Sequence, residues 1–292
     1  MKPPPFIYHR PKTLDDALAV LAKVAPEDGR ILAGGQTLVP MMALRVAYPP
    51  HLVDINGVAE LDYLDIRDDM LAIGALTRHA RFEEPVDDGP TGRILAEIVR
   101  HIAHMPIRSR GTMCGSLVNA DPASEWCLTA ATLGAMFVAR SRAGTREIKA
   151  AEYFLDIMTT ALEPAEILAE VRLPRLAADS YAGFYEFSRR AGDFALGMSL
   201  VTYRLADGVI VEPRIGVGAA ETHPRRIAEA EAVLLGQAPT AAAFAKAAAA
   251  AAAAVEPMED HIADGDYRRE LVQASVRRAL DHAAHSQDRE RH

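Results

Sequence analysis

Near the start of the chain, the glycine pair Gly34-Gly35 separates a short strand from a helix. Apolar residues predict the strand over 30–33, and helical spacing predicts the helix over 38–44. A preceding helix and a strand over 51–55 complete a β-α-β-α-β unit of about fifty residues. This order of elements restricts the N-terminal part of the chain to a small α/β layer.

The junction at 33–37 is suited to holding an anion. Consecutive glycines let backbone N–H groups approach an anion closely, and the start of the following helix adds a favourable dipole. The alternative is an ordinary tight turn, since strand–glycine–helix turns are common in α/β folds.

A second stretch of small and polar residues covers 112–116, and acidic residues follow at Asp121 and Glu125. Hydroxyls and amides suit a diphosphate, and carboxylates suit ribose hydroxyls. The alternative is an irregular loop in which Asp121 forms a turn and Ser124 or Asp121 caps the next helix.

The composition excludes several classes of protein. The formal net charge of -8 leaves no basic excess for a nucleic-acid backbone. The only cysteines, Cys114 and Cys127, are too few to hold an iron–sulfur cluster, and a disulfide-stapled secreted protein is not expected. The prolines at 3–5 preclude a helical signal peptide, and the longest apolar run, 247–255, is too short to span a bilayer. A soluble cytoplasmic protein is expected.

The remaining pattern predicts a linker over 176–180. Before it, residues 91–104 predict a helix, and residues 108–122 predict an irregular stretch. The tail, 286–292, is expected to fray. Beyond the linker we expect three antiparallel strands over 183–189, 199–205 and 209–218, then helices over 226–235, 240–255 and 267–284.

Both loops resemble those of the FAD-binding medium subunit of molybdenum hydroxylases, a family that includes carbon monoxide dehydrogenase and heterocycle dehydrogenases. The family's second loop reads Thr-Ile-Gly-Gly-Ser where this chain has Thr-Met-Cys-Gly-Ser at 112–116. A third match, Arg-Arg-Ala-Gly-Asp-Phe-Ala at 189–195, resembles the family's Arg-Arg-x-Gly-Asp-Phe/Tyr-Ala. The likeness covers essentially the whole chain, with the motifs in the family's order and spacing.

The resemblance implies an α+β chain with two domains. A two-part FAD-binding domain of the PCMH, vanillyl-alcohol-oxidase-like type would cover 1–175, with subdomains over about 1–56 and 57–175. An α/β C-terminal domain over 176–292 would combine a three-stranded antiparallel sheet with a helical layer.

The resemblance also implies that this chain binds FAD and contains neither a catalytic residue nor a metal site. A large partner subunit would hold the molybdenum cofactor, and a small one would hold two [2Fe-2S] clusters, in a dimer of heterotrimers. The flavin would pass electrons from the clusters to an external acceptor. Two other functions stay open: a self-contained flavin- or nicotinamide-dependent oxidoreductase, and a non-enzymatic FAD-binding module.

The motif positions imply which residues contact FAD. The two loops would hold the diphosphate with its flanking ribityl and ribose, and Asp121 and Glu125 would contact ribose, adenine or ribityl. Leu168, Tyr185 and Arg189 would lie near the isoalloxazine, although Leu168 also suits a core and Arg189 a solvated surface. The expected contacts are Leu32, Ala33, Gly34, Gly35, Gln36, Thr37, Leu38, Thr112, Met113, Cys114, Gly115, Ser116, Asp121, Glu125, Leu168, Tyr185 and Arg189.

Two positions depart from the family pattern. Cys114 replaces the first glycine of the second loop, and we expect its backbone to stay in an allowed region. Glu186 stands where many relatives have lysine, so a lysine role near the flavin does not carry over. His101 and His104 have no third ligand at useful spacing and are expected to be surface or interface histidines.

Overall fold

The computed structural model describes residues 2–286, so the fraying expected for the tail lies outside the described residues from position 287 onward. Within the described range, no helix is both long and apolar enough to cross a membrane. In chain order the first domain contains β1 (Ile7–His9), α1 (Leu14–Val24), β2 (Arg30–Leu32), α2 (Leu38–Ala43), β3 (His51–Asp54), β4 (Leu64–Arg67), β5 (Met70–Gly74), α3 (Pro90–Ile98), α4 (Met105–Arg108), α5 (Met113–Asn119), α6 (Glu125–Leu133), β6 (Met136–Ser141), β7 (Gly144–Lys149), α7 (Ala150–Tyr153), β8 (Phe154–Asp156), β9 (Thr159–Thr160) and β10 (Ile167–Pro174).

The N-terminal unit is a parallel sheet in the order β1-β3-β2, as the strand–helix alternation predicts. Thr13 caps α1 by accepting a hydrogen bond from Asp16, and Leu14, Leu18 and Leu21 face the core. In such a unit the loops after the parallel strands lie at one edge of the sheet. The glycine loop between β2 and α2 therefore lies at that edge.

The second sheet is antiparallel, in the order β4-β5-β10-β6-β7. Helices α5 and α6 pack on β10. The structure corrects two expectations here. The helix expected over 91–104 ends at Ile98, and the irregular stretch expected over 108–122 contains α5. Gly115 and the small residues around it have low helix propensity, so the sequence does not predict α5. The helix forms with Thr112 as its N-cap.

The C-terminal domain is a four-stranded antiparallel sheet covered by helices. It adds a two-residue edge strand to the three that were expected, because Arg225 and Arg226 pair with the end of the third strand. Its elements are β11 (Tyr181–Phe187), β12 (Gly197–Ala206), β13 (Val209–Gly218), β14 (Arg225–Arg226), α8 (Ala228–Leu234), α9 (Ala241–Ala254) and α10 (Gly265–Ala284).

The alanine-rich segment forms α9, as its helix propensity predicts. Ala247, Ala248 and Ala251 are fully buried, and these small side chains let α9 approach α8 and α10 closely.

The C-terminal sheet lies between two helical layers. One face packs on α8 and α10, against which α9 lies, and the other face packs on α3 and α6 of the first domain. Phe184, Met198 and Leu200 belong to the same continuous hydrophobic core as the first domain. The two domains are therefore joined by buried apolar contacts as well as by the linker.

Candidate cofactor site

The two candidate loops lie in direct contact. A Cβ atom added to Gly34 would lie 2.6 Å from the carbonyl oxygen of Arg110 and 2.7 Å from the Cα of Gly111. Gly35 has a φ of +70°, which favours glycine. The first glycine permits the contact and the second permits the turn, so the loops predicted separately from sequence form one site.

The second loop is the beginning of α5. Thr112 Oγ1 accepts a hydrogen bond from the Gly115 N–H at 3.0 Å and caps the helix. Met113 and Cys114 are buried, while Gly115 and Ser116 keep accessible surface. Of the loop's four helical residues, it is therefore Gly115 and Ser116 that can meet a ligand.

Cys114 adopts a helical backbone, so the departure from glycine causes no left-handed strain. Its Sγ lies 3.8 Å and 3.7 Å from the carbonyl oxygens of Ile73 and Gly74, on the core side of α5. Burial raises the pKa of the Cys114 thiol, which keeps it protonated.

Buried His79 connects the backbone just before the second loop to α6. Its N–H donates to the carbonyl oxygen of Gly111 at 3.0 Å, and its Nδ1 accepts from Trp126 Nε1 at 2.9 Å. Burial lowers the pKa of His79 to about 4, so the imidazole is neutral near pH 7. The sequence does not predict these contacts, because Gly111 and Trp126 lie far from His79 along the chain.

A cleft of about 500 Å³ opens where the loops meet. Five of its lining residues were not predicted from the sequence, because they are single polar residues outside the two loops. The lining residues are Ala33, Gly34, Asp54, Asn56, Arg78, Ser109 and Arg110.

The cleft fits the diphosphate of a dinucleotide such as FAD. Among residues 2–286, the N–H groups of Gly35, Gln36 and Thr37 have no hydrogen-bond acceptor. Arg78 and Arg110 bring positive charge to the same cleft. Free N–H groups beside guanidinium groups are a usual arrangement for binding a phosphate.

The two acidic residues after α5 lie in the turn before α6. Asp121 Oδ1 accepts a hydrogen bond from the Ala123 N–H at 2.9 Å, and Ser124 caps α6. Both residues therefore have the turn and capping roles that the sequence offers as the alternative to ligand binding. Glu125 is 9% exposed, and burial, with a smaller effect of Asp121, raises its pKa to about 7. A contact of either carboxylate with FAD stays a prediction.

The third motif lies beside the segment that leads into the second loop. Gly192 has a φ of +84°, and a Cβ added there would lie 2.6 Å from Cε1 of His104. Arg189 and Phe194 are exposed on this turn. The third motif therefore lies against His104, the residue before α4, and this histidine lies where the two segments meet.

Tyr185 and Leu168 both make contacts within the protein itself. Tyr185 points to α10, where its hydroxyl accepts a hydrogen bond from Arg278 and its ring packs against His282. Leu168 is 3% exposed in the core on β10. Their contact with the isoalloxazine stays a prediction.

Glu186 points the other way from Tyr185, into the contact between the domains. Its Oε2 is buried, has no hydrogen-bond partner among the described residues and lies 3.9 Å from Nδ1 of His101. Burial, and then the charge of Glu125, raise the pKa of Glu186 to about 8. His101 in turn packs edge-on against Phe184 at a centroid distance of 5.0 Å, so it too is an interface residue.

Comparison with known sequences identifies both domains. Residues 4–176 match the family described as FAD binding domain in molybdopterin dehydrogenase, and residues 182–283 match the CO dehydrogenase flavoprotein C-terminal domain. The 6-hydroxypseudooxynicotine dehydrogenase complex subunit alpha of Paenarthrobacter nicotinovorans is 37% identical, over 98% of this chain and 96% of its own. The carbon monoxide dehydrogenase medium chain of Hydrogenophaga pseudoflava is 34% identical, over 97% and 98%.

Solved structures agree over the same length. A chain of carbon monoxide dehydrogenase from Hydrogenophaga pseudoflava has a TM-score of 0.93 at 35% identity, covering 97% of this chain and 99% of that one. A chain of quinoline 2-oxidoreductase from Pseudomonas putida 86 has a TM-score of 0.91 at 35% identity, covering 98% and 99%. The chain therefore belongs to the FAD-binding medium subunits of the molybdenum hydroxylases.

Proposed function

We propose that this chain carries one FAD and transfers electrons within a molybdenum-dependent hydroxylase, from [2Fe-2S] clusters of a partner to an external acceptor. The observation that carries the proposal is the contact between loops 33–37 and 112–116 beside a cleft with two arginines. When bound, the flavin supplies the redox chemistry, and the protein supplies binding and orientation.

Each part of the site has a binding task in this proposal. The N–H groups of Gly35, Gln36 and Thr37 bind the diphosphate, while Gly115 and Ser116 contact the adjoining ribityl or ribose. Leu32, Leu38 and the remaining residues of the second loop hold these groups in place. In this proposal Arg189, which lies on the exposed turn beside His104, contacts the ring end of the cofactor.

The partners in this proposal are a large subunit with the molybdenum cofactor and a small iron–sulfur subunit, in a dimer of heterotrimers. The names of the relatives support the proposal that this chain is one subunit of a complex, since they describe a complex subunit and a medium chain. The two buried cysteines support it as well, because the clusters need thiolates that this chain lacks.

We also propose a domain boundary at residue 176, a further division near residue 57, and a cytoplasmic location. The family matches on either side of residues 177–181 support the boundary. The change from the parallel sheet to the antiparallel sheet after β3 supports the division. Free thiols are usual in reducing compartments, which supports the location.

The test is cofactor analysis of the chain purified with its genomic neighbours. We expect one non-covalent FAD per chain, co-purification of a molybdenum-containing and an iron–sulfur chain, and flavin bleaching when the complex meets its substrate. A complex without flavin would contradict the proposal. Substrate turnover by the isolated chain would instead favour a self-contained oxidoreductase.

A further inference from the structure

Two side chains from outside the loops hold the loops together. Asn56 Nδ2 donates to the carbonyl oxygen of Ala33 at 2.7 Å, and Asn56 Oδ1 accepts from Arg78 Nη2 at 2.5 Å. Arg78 Nη1 donates to the carbonyl oxygen of Arg110. This pair, the Asn56–Arg78 clasp, therefore links the first loop to the backbone just before the second loop.

Asp54 fixes the orientation of the clasp. Its Oδ1 accepts from Asn56 Nδ2 at 2.6 Å and from the Asn56 N–H at 2.9 Å, and its Oδ2 accepts from Tyr8. Burial acts to raise the pKa of Asp54, but the hydrogen bonds from Tyr8 and Asn56 lower it overall. An ionised Asp54 requires the Asn56 amide to present its nitrogen here, which leaves its oxygen for Arg78.

The guanidinium of Arg78 is in direct contact with no carboxylate of residues 2–286. Its two hydrogen-bond acceptors are a neutral amide oxygen and a peptide oxygen, and it forms no ion pair with any carboxylate in residues 2–286. The cleft's own carboxylate, Asp54, is already bound by Tyr8 and Asn56 and lies 3.9 Å from Arg10. The carboxylates of Asp62 and Asp54 act on Arg78 without forming an ion pair with it. Burial, together with the charge of Arg110, lowers the pKa of Arg78 overall. A half-buried cation that forms no ion pair and lies near a second cation favours an anionic ligand.

We propose that Arg78 supplies the counter-charge for the FAD diphosphate and that the Asn56–Arg78 clasp sets the spacing of the two loops around it. The inference rests on the proposed function and names a binding residue that the motifs do not contain. The fork of Arg78 reaches oxygens of two different segments at once, which a lysine ammonium on a flexible stem does not reproduce.

The experiment measures FAD affinity of the full chain, deflavinated and titrated with FAD at low and high salt. We expect Arg78→Gln to weaken binding about 30-fold, as for the loss of a hydrogen-bonded charge. Added salt should weaken binding less in this variant than in the wild type, because one screened attraction is gone. Arg78→Lys keeps the charge, so its FAD affinity should lie between those of the wild type and Arg78→Gln. Its affinity should respond to salt as that of the wild type does.

The matched control is Arg81→Gln, which removes an exposed arginine that lines a separate groove beside β4. It should bind FAD as the wild type does. Unchanged affinity in Arg78→Gln, or an equal loss in the control, would overturn the inference. If Arg78→Gln does not fold, Arg78→Lys tests the inference. Wild-type FAD affinity in Arg78→Lys would refute the claim that binding needs a guanidinium that reaches both segments. A wild-type chain that binds no FAD would refute the proposed function instead.

Discussion

Gly34 and Gly111 lie backbone against backbone, since a Cβ added to Gly34 would come within 2.7 Å of the Gly111 Cα. Both neighbours at this point are backbone, which cannot move aside as a flexible side chain can. The two loops can approach this closely only while position 34 has no side chain.

We therefore expect Gly34→Ala to lower stability by about 1–3 kcal/mol through overpacking and to weaken FAD binding as the loops separate. Gly34→Asp should abolish FAD retention, because it adds a carboxylate near the diphosphate. Thermal unfolding and flavin content measure the two effects. Gly265→Ala is the control, because its new methyl group meets a flexible Glu259 carboxylate at 3.1 Å. Normal flavin content in Gly34→Asp would show that the loop is misassigned.

A second prediction separates helix capping from cofactor binding. Thr112 caps α5 in the site, and Thr240 caps α9 far from it, each by accepting from the N–H three residues later. Thr112→Val and Thr240→Val should each cost about 1 kcal/mol in unfolding free energy.

Only Thr112→Val should also weaken FAD binding, because α5 begins beside the cleft. Chemical denaturation and FAD titration give the two quantities. Equal FAD affinity in both variants would mean that the α5 cap is purely structural.

The third prediction concerns pH and Glu186. The pKa of a glutamate carboxyl is ordinarily about 4.5, and burial raises the pKa of Glu186 to about 8, so the folded chain binds the proton more tightly than the unfolded chain. Stability should therefore fall as pH rises from about 5 to 8, since the proton that favours the folded state is lost.

Glu186→Gln cannot ionise, so it should flatten this slope and raise stability at pH 8 by on the order of 3 kcal/mol. Thermal unfolding at several pH values measures the change. Glu270→Gln, at an exposed position on α10, should leave the slope as it is. An unaltered slope in Glu186→Gln would show that Glu186 is ionised in the folded state, paired with a protonated His101.

The fourth prediction concerns the cysteine in the second loop. Because the Cys114 thiol is fully buried with a raised pKa, thiol reagents should modify it only after unfolding. Cys114→Gly restores the family residue but removes a packed side chain from a helix. It should cost about 1–2 kcal/mol in stability and leave FAD affinity unchanged, because the sulfur faces the core. A marked gain in FAD affinity would show that the cysteine restricts the cleft.

The sequence predicts the parts of the fold in which the hydrophobic pattern and the turn residues agree. The spacing around Gly34-Gly35 predicted the first unit, and alternation with turn residues predicted β11, β12 and β13. The sequence predicts a binding loop over 112–116 but does not predict the helix that begins there. Helix α5 is held by the Thr112 cap and by packing on β10, which small residues do not reveal.

Single residues joined over long distances could not be predicted. Asn56 and Arg78 are 22 positions apart and belong to no motif, yet they hold the two loops together. The side of the sheet on which Tyr185 lies follows from strand geometry, because neighbouring strand residues face opposite sides of a sheet. Phe184 packs in the core shared by both domains, so Tyr185 had to point to α10.

The buried core that joins the two domains has a consequence for electron transfer. Electron tunnelling slows steeply with distance, so a carrier works best when donor, carrier and acceptor keep fixed separations. Because Phe184, Met198 and Leu200 pack into the first domain, the C-terminal sheet has no free hinge against the cofactor loops. The spacing along the electron path through this chain is thus set once, when the chain folds.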